Sequence, residues 1–142
     1  MSRLPARSAV AAGALCTFGI TLPQPAAAAG DPAKGATVFG QCQACHSADK
    51  GANRIGPSLY HVVGRPAGSI AGYDYSPAVQ EAAKKGLVWT AENIVKYLQN
   101  PHKFLGDFDG DPGIRNKMPF SLADEQQRED VVAYLKSLGD KP

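Results

Sequence analysis

Apolar residues recur at helical spacing in several short stretches of the chain, and residues that favour helix ends bound each stretch. Asp31 and Pro32 open the first stretch. Aspartate caps a helix well and proline suits the first helical position, so a helix is predicted to start there, and its apolar positions, including Val38 and Phe39, lead straight into Cys42. The Ser-Pro pair at the start of range 76–86 has the same arrangement and predicts a short second helix, closed by a glycine.

Two further helices are predicted towards the C-terminus. Thr90 starts one that stops before Pro101, and a polar, glycine-rich loop is predicted over residues 105–117. Ser121 and Asp124 resemble a capping box. The last helix follows, with a stripe of apolar residues spaced for burial: Val131, Val132, Leu135 and Leu138.

The stretch between the first and second helices, residues 47–75, has no sustained periodicity. Glycines and prolines interrupt it repeatedly, which is typical of connected loops. So long an irregular segment is unusual in a compact domain unless a ligand gives the loops something to pack on. Aromatic residues make up only 8% of the chain. We therefore predict one all-α domain, residues 30–142, built round a bound group.

The first residues of the chain predict a secretory leader. Arg3 and Arg7 give a positive start, the uncharged stretch 9–22 follows, and a run of alanines ends at Ala29, a pattern that signal peptidases cut. The apolar part is shorter than the roughly 20 residues that span a bilayer. We expect residues 1–29 to be a Sec-type signal peptide that is cleaved on export to the periplasm, and the mature form to have no membrane span. A retained anchor is the alternative.

Charge argues against a nucleic-acid partner. Without Arg3 and Arg7, the 15 Lys and Arg of the full chain fall to 13, which equals the 13 Asp and Glu. The mature chain therefore has no net charge, and no basic run or basic helix face is present.

The cysteines indicate the chemistry. Cys16 is removed with the leader, so only Cys42 and Cys45 remain, in the run Cys-Gln-Ala-Cys-His of residues 42–46. This is the C-x-x-C-H pattern of c-type haem attachment. Two thiols three positions apart reach the two vinyl groups of one porphyrin and form thioethers, which places His46 to bind the iron. We predict one covalent haem c.

Three other uses of the two cysteines stay open at this point. A disulfide is the simplest, since both thiols would be exported. A thioredoxin-like site would need a βαβ setting, which the pattern does not predict. A structural zinc site would need four ligands at tight spacing, but only His61 and His102 remain, far from the motif.

Haem iron bound to one imidazole needs a sixth ligand or an open face. Met118 is the only methionine after the leader, and it lies in a loop before proline, not on a helical stripe. Core packing is the commoner role of methionine. A thioether ligand would raise the reduction potential, and we predict His46 and Met118 as the axial pair.

At these residues the sequence resembles the class I, mitochondrial-like c-type cytochromes, particularly soluble bacterial ones, over residues 30–140. The haem motif lies near the mature N-terminus and Met-Pro-Phe near the last helix, in that family's order; the four-helix c-prime type has its motif near the C-terminus. Gly35 and Phe39 resemble the residues by which the family's first helix crosses its last, where Tyr134 and Leu135 match the partners. The resemblance implies the cytochrome c fold.

The resemblance also implies further haem-binding residues. Pro57 resembles the proline whose carbonyl accepts the second N–H of the proximal histidine. Arg65, Tyr75 and Trp89 match the family's propionate neighbours. Tyr97 begins the run Tyr-Leu-Gln-Asn-Pro, which matches the segment whose tyrosine approaches the axial methionine.

The sequence departs from the family in two places. Asn116 replaces the family's threonine before Lys-Met, so its expected contact with a propionate depends on the carboxamide. The 105–115 segment is longer than in short members and carries three alternating aspartates, which suggests calcium. The EF-hand pattern fails at Pro112 and Met118, so a solvated acidic turn is expected instead.

The resemblance implies a one-electron carrier, not an enzyme. Its partners would be transient redox proteins of a respiratory chain or a dehydrogenase, and the chain would be a monomer. Lys103 and Lys117 flank the segments expected near the haem edge, so docking charge would come from local patches. A haem enzyme or gas sensor is the alternative, with His61 or His102 as distal groups, although neither has a neighbouring carboxylate pattern.

Overall fold

The computed structural model describes residues 30–139, which form five α-helices. Their bounds are α1 Pro32–Phe39, α2 Pro77–Lys84, α3 Ala91–Gln99, α4 Pro101–Asp109 and α5 Glu125–Gly139. One turn of 3₁₀ helix, Cys42–Ala44, follows α1. The described residues contain no strand, only an isolated antiparallel bridge between Pro66 and Val88. The predicted all-α fold is confirmed.

Helices α1 and α5 cross at very short range because Gly35 has no side chain. A Cβ on Gly35 would collide with the carbonyl of Asp130 and would lie 2.8 Å from the Cβ of Tyr134. The Phe39 and Tyr134 rings pack with their centroids 5.2 Å apart, and the Asp31 N–H donates to the buried Asp130 carboxylate over 2.7 Å. The crossing predicted from Gly35, Phe39 and Tyr134 is confirmed.

Two groups of buried apolar side chains form the core. The larger joins α1, α3 and α5, and its members include Phe39, Ile94, Leu98, Val131 and Leu135. The smaller lies between α2 and α4 and includes Ala78, Ala82, Leu87 and Leu105. Trp89 and Tyr97 contact both groups. The two aromatic side chains therefore lie where the two halves of the core meet.

The predicted loop over 105–117 is wrong in its first part, because α4 continues to Asp109. The Asn100 side chain accepts from the Lys103 N–H over 2.9 Å, and a proline occupies the first helical position, so a new helix begins directly after α3. Leu105 is fully buried on its inner face. The helix ends at Gly110, whose φ of 72° suits a left-handed cap.

The predicted capping box is also wrong, because Asp124 alone caps α5. Its Oδ1 accepts from the Gln127 N–H over 2.8 Å, and the helix begins at Glu125, so Ser121 lies outside it. The Arg128 guanidinium donates to the carbonyls of Leu122 and Ala123 over 2.8 and 2.6 Å. These bonds connect the residues that precede α5 to the first turn of the helix.

The acidic segment differs in part from the expected solvated turn. Asp107 pairs with Lys103 on the surface of α4, and Asp111 is exposed, whereas Asp109 is buried because the helix turns it towards α2. Among residues 30–139 no group of three or more His, Cys, Asp or Glu side chains is placed to hold a metal ion.

The predicted signal peptide, residues 1–29, lies outside the described residues, as do residues 140–142. Within the part of the chain that the structure describes, every helix is too short or too polar to span a bilayer.

Candidate functional site

One cavity of about 290 Å³ lies between the helices and the long irregular segment. Its walls are mainly apolar and aromatic. All ten residues that the sequence singles out for cofactor binding line it: Cys42, Cys45, His46, Pro57, Arg65, Tyr75, Trp89, Tyr97, Asn116 and Met118. Side chains from segments far apart in the chain therefore meet at one place.

The 3₁₀ turn after α1 brings the two thiols and His46 to the same wall. The backbone N–H of His46 donates to the Cys42 carbonyl over 2.9 Å, which closes the turn. Cys42 and Cys45 are free thiols, so the disulfide alternative is not realised. Burial raises the pKa of the Cys42 thiol, whereas Cys45 is exposed.

The orientation of the His46 ring is fixed by its contacts with Pro57 and Gly56. Its Nδ1 lies 2.7 Å from the Pro57 carbonyl, and since a carbonyl only accepts, Nδ1 carries the proton and Nε2 keeps its lone pair. Burial lowers the pKa of His46, the Pro57 hydrogen bond opposes this, and the Arg65 charge lowers it further. A Cβ on Gly56 would lie 2.6 and 2.7 Å from the two ring nitrogens, so only glycine allows the ring this position.

Met118 enters the cavity from the segment between α4 and α5. The Tyr97 hydroxyl donates to its sulfur over 3.3 Å. Burial raises the pKa of Tyr97 to about 12, although the Asn116 carboxamide opposes the shift, so the hydroxyl keeps its proton near neutral pH. Asn116 donates from Nδ2 to the Met118 carbonyl over 3.2 Å.

Arg65 has hydrogen-bond donors that its protein partners do not use. Its Nη1 and Nη2 donate to the carbonyls of Tyr60 and Ser58 over 3.0 and 2.9 Å, while its Nε is buried without a hydrogen-bond partner among the described residues. A half-buried guanidinium with a shielded, unused N–H is a good donor for a carboxylate.

Sequence reasoning missed several cavity residues. Ser76, predicted only as a helix cap, lines the cavity and is 3% exposed. Its position directly after Tyr75 was the available signal. Val79 and Ile94 also line the cavity, but their apolar side chains cannot be told from ordinary core residues in the sequence.

The donor set fits a haem. Two thiols, one imidazole and one thioether line a single apolar cavity, a glycine makes room for the imidazole, and a guanidinium has an unpaired N–H for a propionate. The two remaining alternatives for the cysteines, a thioredoxin-like site and a zinc site, are not supported in the described residues, which contain no strand and no group of metal ligands.

Comparison with known proteins agrees with this geometry. The family model described as Cytochrome c matches residues 32–139, so the chain belongs to the cytochrome c family, and more narrowly to its class I members. It is an electron-transport protein, and membership implies a haem c cofactor.

Similar proteins include bacterial cytochromes. Cytochrome c2 of Rhodopseudomonas palustris is 52% identical over 114 residues, which cover 76% of this chain and 98% of the relative. The structure of cytochrome c2 from Rhodospirillum centenum has a TM-score of 0.73 at 46% identity and covers 77% of this chain and 98% of its own. Cytochrome c-550 from Paracoccus versutus has a TM-score of 0.72 at 34% identity, with 78% and 98% covered.

Proposed function

We propose that this chain carries single electrons on one haem attached through thioether bonds to Cys42 and Cys45, with His46 and Met118 as axial ligands. The observation that carries the proposal is that both thiols, the imidazole and the thioether line one apolar cavity. When bound, haem iron supplies reversible one-electron oxidation and reduction.

The surrounding residues would orient the ligands and stabilise their charge. Pro57 accepts from His46 and thereby strengthens its Nε2 as a donor to iron. Tyr97 donates to the sulfur of Met118 and so fixes the direction of the thioether. We assign the propionate contacts to the polar cavity residues Arg65, Tyr75, Trp89 and Asn116.

A carrier is favoured over a haem enzyme or gas sensor. Two strong axial ligands leave no position for a substrate on the iron. The two histidines that could act as distal groups, His61 and His102, are exposed and do not line the cavity. We therefore propose that the chain is not an enzyme.

Export to the periplasm is proposed as the route by which the haem is attached. The family match begins at residue 32, and 98% of the Rhodopseudomonas palustris relative aligns with 76% of this chain. The start of the family match at residue 32 supports the proposed cleavage after residue 29, and periplasmic export is typical of the family. We propose a monomer that meets its donor and acceptor transiently, in a respiratory chain or with a dehydrogenase.

Docking by these partners would rest on local charge. Lys103 forms an ion pair with Asp107 over 2.5 Å, and Lys117 pairs with Asp74 over 2.6 Å. All four side chains are more than half exposed. Each lysine is therefore part of a small dipolar patch, which orients an encounter without a large net charge.

Met118→Ala tests the axial pair. We expect the ferric protein to lose the weak absorbance band that reports iron–sulfur bonding, and the reduced protein to bind carbon monoxide readily. The potential should fall by on the order of 0.2 V, within the roughly 0.8 V range that axial ligands span. An unchanged spectrum and potential would exclude Met118 as a ligand.

Gly56→Ala tests the orientation of His46. The added Cβ would press on the imidazole ring and weaken its bond to iron by about 10- to 100-fold, as other changes behind a ligand do. Because protons compete with iron for Nε2, acid should displace His46 about one to two pH units higher than in the wild type. The ferric absorption spectrum, followed during an acid titration, measures this shift.

The matched control for Gly56 is Gly113→Ala, whose Cβ would lie 3.4 Å from the Asp111 carboxylate, an ordinary contact. We expect its acid titration to follow that of the wild type. Equal titrations for the two variants would show that Gly56 does not constrain the ring.

A further inference from the structure

The segment that carries Met118 lies beside the start of α2. Residues 110–124, here called the axial loop, connect α4 to α5 and contain no helix. Residues 74–78, here called the seat, run antiparallel to the loop, and every second residue of the seat forms a hydrogen bond to the loop. The bonded pairs are Asp74 with Lys117, Ser76 with Asn116, and Ala78 with Arg115.

The outermost pair, Asp74 with Lys117, has the shortest hydrogen bonds of the three. Lys117 Nζ donates to the Asp74 carboxylate over 2.6 Å and to its carbonyl over 2.7 Å. Of the five ion pairs among the described residues, it alone joins distant segments; the other four lie within single turns of helix. It therefore ties the residue next to Met118 to another part of the chain.

On its Ser76 side, the inner pair is shielded from water. Ser76 is 3% exposed, and its Oγ donates to Asn116 Oδ1 over 3.4 Å while accepting from the Val79 N–H over 3.3 Å. Asn116 in turn donates to the Met118 carbonyl. A chain of hydrogen bonds thus connects the N-terminal cap of α2 to the backbone of Met118.

The third pair is joined by a backbone hydrogen bond, in which the Ala78 N–H donates to the Arg115 carbonyl over 3.2 Å. Beyond Met118, the Leu122 N–H donates to the Leu98 carbonyl over 2.8 Å. The axial loop is therefore held by the seat on one side of Met118 and by α3 on the other.

We infer that the seat holds the axial loop against the cavity and that Asp74 is a positioning residue for Met118. The inference rests on the proposed role of Met118 as an axial ligand. Without the Asp74–Lys117 pair, the loop populates open arrangements in which the thioether has left the iron. The pair is exposed, 53% for Lys117 and 91% for Asp74, so dissolved salt weakens it.

Titration of the ferric holoprotein with imidazole tests the inference. Imidazole takes the place of Met118 only in the open arrangement, so its apparent affinity rises with the open fraction. Loss of the iron–sulfur band measures occupancy. We expect Asp74→Asn and Lys117→Gln each to tighten apparent imidazole binding about two- to five-fold, the range for an exposed ion pair.

Two controls separate positioning from general destabilisation. Glu92→Gln breaks an equally short exposed pair, with Lys96 over 2.6 Å, on α3, and should leave imidazole binding unchanged. Asp74→Glu keeps the charge and should restore most of the wild-type value. Added salt should tighten imidazole binding to the wild type but have little effect on Asp74→Asn.

The outcomes also distinguish the two proposals. If the wild-type ferric protein shows no iron–sulfur band, Met118 is not a ligand and both proposals fail. If the band is present but Asp74→Asn binds imidazole as Glu92→Gln does, the seat has no positioning role and the proposed function stands. The inference would also be overturned if, in every variant, the iron–sulfur band disappears only when the far-UV circular dichroism signal of the helices disappears as well.

Discussion

The double variant Cys42→Ser with Cys45→Ser is expected to yield an exported chain that carries no covalent haem and is largely unfolded. Serine forms no thioether, so nothing would fix a porphyrin in the cavity. The apolar side chains of α1, α3 and α5 that line or adjoin the cavity would then lack a packing partner. Mass spectrometry of denatured protein should show one added haem in the wild type and none in the variant.

Single replacements are the matched controls for this experiment. Cys42→Ser and Cys45→Ser each keep one thiol beside His46, so each should retain one haem through one thioether, at reduced yield. A double variant that keeps haem after denaturation would show attachment elsewhere and would contradict the proposed site.

Gly35→Ala is expected to lower the free energy of unfolding by about 3 kcal/mol or more. The added Cβ would collide with the Asp130 carbonyl, which belongs to the backbone of α5 and cannot rotate away. The two helices must therefore separate, which uncovers Phe39, 1% exposed in the structure. Urea unfolding followed by far-UV circular dichroism measures the loss.

Gly40→Ala is the matched control, because Gly40 ends the same helix with a right-handed φ of −50° and its Cβ would meet only the Thr37 carbonyl at 3.1 Å. Its stability should differ from the wild type by less than about 1 kcal/mol. Similar midpoints for the Gly35 and Gly40 variants would show that the crossing tolerates a methyl group.

The helices with strong boundary signals could be predicted from the sequence. Asp31 and Ser76 precede prolines, Thr90 caps α3 through the Asn93 N–H over 3.1 Å, and the stripe in α5 is buried as expected. In each case a local side-chain bond to the backbone sets the helix start, and local chemistry is visible in a sequence.

Helix α4 was missed for a physical reason. Pro101 ends α3 and also begins α4, with Asn100 as cap to the second helix, so one signal has two meanings. Gly106 then suggests a loop, but it is buried where α4 packs against Pro112, and its Cβ would lie 3.1 Å from the proline Cα. A glycine required for close packing looks the same in sequence as one required for a turn.

The residues of the candidate site that could be predicted from the sequence are those with distinctive chemistry. Thiols, imidazole and thioether stand out in a sequence, and the family resemblance supplied Pro57 and Tyr97. Ser76 and the seat could not be found in this way. Their contacts with the axial loop join residues about 40 positions apart by weak polar bonds, which leave no periodic or compositional signal.

The pairing of α1 with α5 also bears on the order in which the domain can be completed. Cys42 and Cys45 lie just after α1 and far ahead of α5 in the chain, so they are synthesised well before the helix on which α1 packs. The thiols would therefore stay open to the proposed haem attachment until α5 is in place. Arrival of the last helix, which lines the cavity with Val131 and Leu135, would then enclose it, so topology itself separates chemical assembly from closure of the domain.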